Sequence, residues 1–144
     1  MMKILDRARD LAYRAHSGQV DKAGRPYIEH VARVAERVRG DEEAEAVAWL
    51  HDVVEDHPGF AHEVIHSFPH EVSLAAFELD RHTCSKDMYY ACVRTNPLAL
   101  RVKLADIADN SDESRLALLD EKTAARLRRK YAKALKALTG GDDV

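Results

Sequence analysis

The chain has 144 residues, 46% of them hydrophobic and 33% charged, and its 22 basic and 25 acidic side chains leave a formal net charge of −3. That length suits one compact domain with a single core, so residues 1–144 are expected to form one unit with no second catalytic domain of ordinary size. The acidic balance excludes the basic footprint of a nucleic-acid binder, and the apolar runs are too short for a membrane span or a signal peptide.

Glycine and proline are scarce, and Ala, Leu, Glu, Arg and Lys outnumber the strand-forming residues, which predicts an all-α helical bundle. Ile4, Leu5, Ala8, Leu11, Ala12 and Ala15 recur at helical spacing and define a first helix. SGQVDKAGRP then breaks the pattern as a loop, and Pro26 opens a second helix carrying Tyr27, His30, Val31, Val34 and Val38, ended by Gly40. Asp41 can cap a third helix whose inward residues are Ala44, Val47, Ala48, Leu50 and Val54, stopped by His57-Pro58-Gly59.

Shorter helices follow from about Phe60 to Phe68, from about Glu71 to Arg81 and around Lys86 to Thr95. Asn96 caps the next, which starts at Pro97 with an inner stripe of Leu100, Leu104 and Ile107. A polar connector at Ser111 to Ser114 leads to a last helix, where Leu127, Tyr131, Ala134, Leu135 and Leu138 recur before Gly140. Its basic run RLRRKYAKALK reads as a solvated face. Cys84 and Cys92 lack a CxxC pattern, which implies reduced thiols in a cytoplasmic protein.

Two histidine clusters compete for the chemistry. In HDVVED, at the end of the third helix, His51 and Glu55 stand at i and i+4, as do Asp52 and Asp56. Carboxylates crowded beside an apolar segment are costly, and a divalent cation offsets their repulsion. PYIEH adds His30, and KLADIADN sets Asp106 inside the apolar run VKLADIA, where a buried aspartate needs a partner such as a metal shared with His51 and Asp52.

The second cluster, HEVIH from His62 to His66, has the form of a zinc-protease motif. Its helix is limited to about two turns by Pro58-Gly59 and Pro69, and no third ligand follows at a suitable spacing. It is therefore expected to be a surface helix. His57, His70 and His82 likewise read as surface or packing residues.

The order His30, His51-Asp52, Asp106 resembles the H…HD…D signature of the HD-domain metal-dependent phosphohydrolases. AHSGQVDKAGRPYIEH, AWLHDVVED and RVKLADIADN resemble, more closely, the hydrolase domain of Rel/Spo-type stringent-response enzymes and the single-domain small alarmone hydrolases. The resemblance runs from about Ala8 to Leu116. It implies an all-α fold, one Mn2+, and removal of the 3′-pyrophosphate from (p)ppGpp.

Carried over by position, His30, His51, Asp52 and Asp106 match the metal ligands, and Glu55 and Asp56 match the acidic pair around the attacking water. Lys22 matches a basic substrate-loop position and Asn110 an asparagine that contacts the nucleotide. The pattern departs at Asp21, where an arginine is usual beside the base, and at Glu113, where a small hydroxyl residue is usual. Those departures keep open a phosphatase of another nucleotide, such as a nucleoside monophosphate or the 2′-phosphate of NADPH. A metal-binding regulatory module without turnover is the alternative of another class. The expected partner is a small phosphorylated nucleotide, and the sequence leaves a homo-oligomer open.

Overall fold

A computed structural model describes residues 2–140, so the two ends of the expected 1–144 unit lie outside the described residues. Its elements are α1 (Ile4–Ala15), α2 (Tyr27–Arg37), α3 (Glu42–Leu50), α4 (Val53–Asp56), α5 (Ala61–Ser67), α6 (His70–Glu78), α7 (Lys86–Thr95), α8 (Pro97–Asn110), α9 (Glu113–Leu116) and α10 (Glu121–Thr139). A 3-10 turn at Pro58–Phe60 joins α4 to α5. The fold is all-α; among the described residues extended pairing is limited to one isolated bridge, Val20 with Pro26.

The expected caps form. Asp41 accepts from the Ala44 amide at 3.2 Å, and Asn96 Oδ1 accepts from the Leu98 and Ala99 amides at 3.1 and 3.2 Å. Gly140 takes the left-handed conformation, φ 89°, that ends α10.

α3 is the centre of the bundle. Ala44, Ala46, Val47, Ala48, Trp49 and Leu50 are all buried, so the helix is apolar nearly all round. Its alanines let α1, α2, α6 and α8 approach it from different sides. A smaller apolar cluster of Leu116, Ala124 and Leu127 lies beside the main core under Leu119 and Tyr131.

Several local expectations are corrected. α3 stops at Leu50 instead of running through Val54, and a turn at His51 and Asp52 precedes α4. The cause is local: the His51 imidazole Nδ1 donates to the Ala48 carbonyl at 2.6 Å, an oxygen that a continuing helix would give to a backbone amide. α6 ends at Glu78, which leaves Arg81 off the helix. The supposed connector contains α9, capped by Asp112, whose Oδ1 accepts from the Ser114 amide at 2.9 Å.

The inner stripe of α8 is also wider than expected, because Ala99, Val102, Ala105, Asp106, Ile107 and Asp109 are buried whereas Leu100 and Leu104 are only partly so. α8 packs against α2, α3, α6, α7 and α10, so no single leucine stripe describes it. Leu135 on α10, expected with the inward residues, is 44% exposed.

Candidate metal centre and its pocket

His30 from α2, His51 and Asp52 from the α3–α4 turn, and Asp106 from α8 come together although they are far apart in the chain. One ligand atom of each lies within 4.8 Å of all the others. His30 Nε2 is 2.9 Å and His51 Nε2 3.3 Å from Asp106 Oδ1. From Asp52 Oδ2 the same two nitrogens stand at 3.9 and 3.0 Å. His30, His51 and Asp106 are buried, and Asp52 nearly so.

Both imidazoles are turned so that Nε2 faces the cluster. His30 Nδ1 donates to Asp109 Oδ2 at 2.7 Å, and His51 Nδ1 donates to the Ala48 carbonyl. Asp109, 1% exposed, also accepts from Arg33 Nε at 2.9 Å. The carboxylates are braced in the same way. The Tyr27 hydroxyl donates to Asp52 Oδ2, while Lys103 Nζ and Asn110 Nδ2 donate to Asp106 at 3.2 Å each.

Electrostatics in this pocket favour charge of both signs. Burial pushes the His30 imidazole down, but the hydrogen bonds to Asp106 and Asp109 and the charges of Asp106 and Asp52 outweigh it and raise its pKa to about 9. Burial opposes His51 too, and the Asp52 and Asp106 carboxylates lift it well above its ordinary value. Asp52, against its own burial, is held low by His51, and Asp106 is held low by Lys103 and the two imidazoles. Burial and the facing Asp52 keep the Tyr27 hydroxyl protonated.

The donor set passes the test for a divalent ion. Two imidazole Nε2 atoms, each oriented through Nδ1, and two carboxylates converge on one point, and this nitrogen–oxygen mixture suits Mn, Fe or Zn. The carboxylates already draw positive charge to that point from the surrounding side chains. The chemistry open to such a centre is metal-assisted hydrolysis.

His51, Asp52 and Asp106 of the cluster line a cavity of about 380 Å3. Lys22 and Asn110, singled out from the sequence, both line it, as do Glu55 and Asp56. Their surroundings differ. Glu55 is gripped by Arg81, whose Nη2 stands 2.7 Å from Oε2 and whose backbone amide donates to Oε1 at 2.8 Å. Asp56 accepts a single side-chain hydrogen bond, from Gln19 Nε2 at 3.1 Å, and burial with the nearby Asp52 charge raises its pKa.

Asp21 turns back on its own loop, accepting from the Ala23 and Arg25 amides at 2.9 and 3.0 Å, and its Oδ2 lies 3.6 Å from Nη2 of Arg115, which also lines the cavity. Glu113 stays outside, paired with Arg128 at 2.8 Å.

Sequence reasoning missed Asp109, Arg81, Lys103 and Tyr27 as partners of the cluster. Asp109 had a signal: it stands three residues after Asp106, a second acid on the same buried run. Tyr27 had one as well, lying one turn before His30. Arg81 had none, since its position depends on where α6 ends.

HEVIH is placed as expected. His62 and His66 are exposed on the seven-residue α5 with ring centroids 4.1 Å apart, and among the described residues no third metal-binding side chain joins them. Among the described residues no helix is long and apolar enough to cross a membrane.

The family model for the HD domain matches residues 8–83. The structure also resembles one solved under the description of a metazoan ortholog of SpoT that hydrolyses ppGpp and plays a role in starvation responses. The two share a TM-score of 0.75 at 23% identity over 99% of this chain and 89% of that chain, a likeness of fold. Since the family match alone takes in more than half of the 144 residues, this chain belongs to the HD-domain family, whose members are metal-dependent phosphohydrolases.

Proposed function

We propose that the protein is a Mn2+-dependent pyrophosphohydrolase that converts guanosine 3′,5′-bis(diphosphate) and water into GDP and pyrophosphate. The observation that carries this reading is the convergence of His30, His51, Asp52 and Asp106, the last three of them lining a cavity that is also lined by Lys22, Arg81, Lys103 and Lys130. A polyanion finds local positive charge there in spite of the net −3 of the chain. The ppGpp hydrolysis described for the fold relative supports the choice of substrate.

A divalent ion held by the four side chains would supply Lewis acidity toward a phosphoryl oxygen and acidify water. The chain does the rest. Arg81 and Lys103 hold anionic oxygens of the diphosphate, Arg81 as a fork fixed by Glu55 and Lys103 as a point charge fixed by Asp106. Asp56 receives the proton shed as the water oxygen bonds to phosphorus and the P–O3′ bond breaks, and passes that proton to O3′, which leaves as a hydroxyl. Its carboxylate, raised by desolvation and the Asp52 charge, is the less occupied of the acidic pair. Lys22 and Asn110 position the nucleotide.

A second reading has its own support. Because Asp21 is spent on its loop and on Arg115, the loop offers no guanidinium from position 21 to a guanine base. That favours an HD phosphatase of another nucleotide, such as a nucleoside monophosphate or the NADPH 2′-phosphate.

Parallel assays of the Mn2+-loaded protein with ppGpp, NADPH and nucleoside monophosphates separate these. Release of pyrophosphate from ppGpp is the expected result. Release of phosphate from one of the others overturns the substrate in favour of the second reading. Silence on all of them with metal bound points to a regulatory module without turnover.

A further inference from the structure

Gln19 joins the loop between α1 and α2 to the acidic end of α4. Its Oε1 lies 2.7 Å from His16 Nδ1 and 2.6 Å from His57 Nε2, and its Nε2 donates to Asp56 Oδ2 at 3.1 Å. The residue itself is pinned at both backbone groups: its amide donates to the His16 carbonyl at 3.0 Å, and its carbonyl accepts from the Tyr27 amide at 2.8 Å.

His16 is 2% exposed, wedged edge-on against His57 at 5.1 Å and against the Tyr27 ring at 5.2 Å. Two buried or half-buried imidazoles and one carboxylate thus meet at a single amide.

Only one arrangement of protons satisfies this junction with Asp56 ionised. A carboxylate accepts and cannot donate, so the amide must present its NH2 to Asp56. The carbonyl end then faces both imidazoles, and both must donate to it: His16 through Nδ1–H and His57 through Nε2–H. Burial keeps His16 neutral, so its second nitrogen carries no proton; that Nε2 is buried without a partner, as a bare lone pair can be at lower cost than an orphaned N–H. Reversing the amide would set carbonyl against carboxylate. The two histidines therefore act as a lock on the amide, and the amide as a bracket on Asp56.

We propose that Gln19 is a positioning residue for hydrolysis, its amide locked by His16 and His57 so as to hold the Asp56 carboxylate at the edge of the cavity. This rests on Asp56 as the proton acceptor. It adds to that assignment a reason for the HxxQ spacing of the loop: the histidine and glutamine stand three residues apart so that one can orient the other.

The test uses the full-length, Mn2+-loaded protein with ppGpp. Gln19→Met removes every polar contact at the junction. Gln19→Glu keeps acceptors for the two imidazoles and replaces the donor to Asp56 by a second carboxylate, so it decides the matter if the first variant fails to fold. Both are expected to lower kcat about tenfold or more, the scale of a hydrogen bond to a charged group, with KM changed less than about twofold. In an Asp56→Asn background, Gln19→Glu should cost less than about twofold further, because the group it positions is already gone.

An unchanged kcat, a rise in KM alone, or an undiminished loss in the Asp56→Asn background overturns the proposal. If wild type leaves ppGpp intact, the substrate assignment has failed separately, and nitrogen-15 NMR of the imidazoles decides on Gln19. The Nδ1–H form at His16 with the Nε2–H form at His57, both lost in Gln19→Met, upholds it; the Nε2–H form at His16 in wild type overturns it.

Discussion

HDVVED and HEVIH lie within a few residues of each other, each with metal-binding side chains paired at i and i+4, and the fold treats them in opposite ways. His51 is 3% exposed, oriented by the Ala48 carbonyl and met by Asp52, His30 and Asp106 from outside its own helix. His62 and His66 approach one another more closely than the buried imidazoles do, 4.1 Å against 5.9 Å between ring centroids, yet both stay in solvent with no third donor among the described residues. Spacing along one helix brings two imidazoles together; a metal centre also needs donors from other elements and burial that makes unpaired carboxylates costly.

The strongest attempt to break this contrast is Asp52→Ala, which should abolish both bound metal and turnover, read by elemental analysis and by pyrophosphate release. A variant that keeps full metal and full rate would remove the buried cluster from consideration. Asp109→Asn comes next. It leaves the four converging side chains in place but weakens the acceptor that aims His30, and should cost roughly 10- to 100-fold in metal affinity by calorimetric titration.

A smaller effect follows from pH. In the metal-free protein the His30 pKa is raised from 6.5 to about 9, so the folded state holds that proton more tightly than the unfolded chain does. The associated stability is fully present below about 6.5 and is lost as pH rises through 9. Divalent metal competes for the same nitrogen, so its stabilising increment should grow over that window. Thermal melts with and without Mn2+ across that range check both slopes, and an increment that shrinks with pH would contradict the assignment. At the bottom of the scale, His62→Ala with His66→Ala should leave metal content and rate unchanged. Any loss of the catalytic ion in that double variant would bring HEVIH back.

Much of this was legible in the sequence because caps and burial are local. Asp41, Asn96 and Gly140 mark helix ends through chemistry within three residues, and the apolar run around Asp106 announces a buried acid. What was not legible depends on polar side chains that take backbone groups from a helix and on where a helix stops. The break after Leu50 comes from one imidazole taking a carbonyl, and the grip of Arg81 on Glu55 exists because α6 stops at Glu78 and returns the chain toward α4. Helical periodicity predicted continuity in both places. Periodicity records which face is apolar and carries no information about a polar side chain that competes for the ladder.

Leu127, Lys130 and Tyr131 give α10 one side of the cavity, while the four converging side chains come from α2, the α3–α4 turn and α8. One wall of the room for a guest thus comes from a piece of chain that supplies none of the four converging side chains. Exchanging the residues along that last helix would retune which molecule is admitted without disturbing the hydrolytic apparatus, so a scaffold of this kind can acquire new clients by editing a single surface.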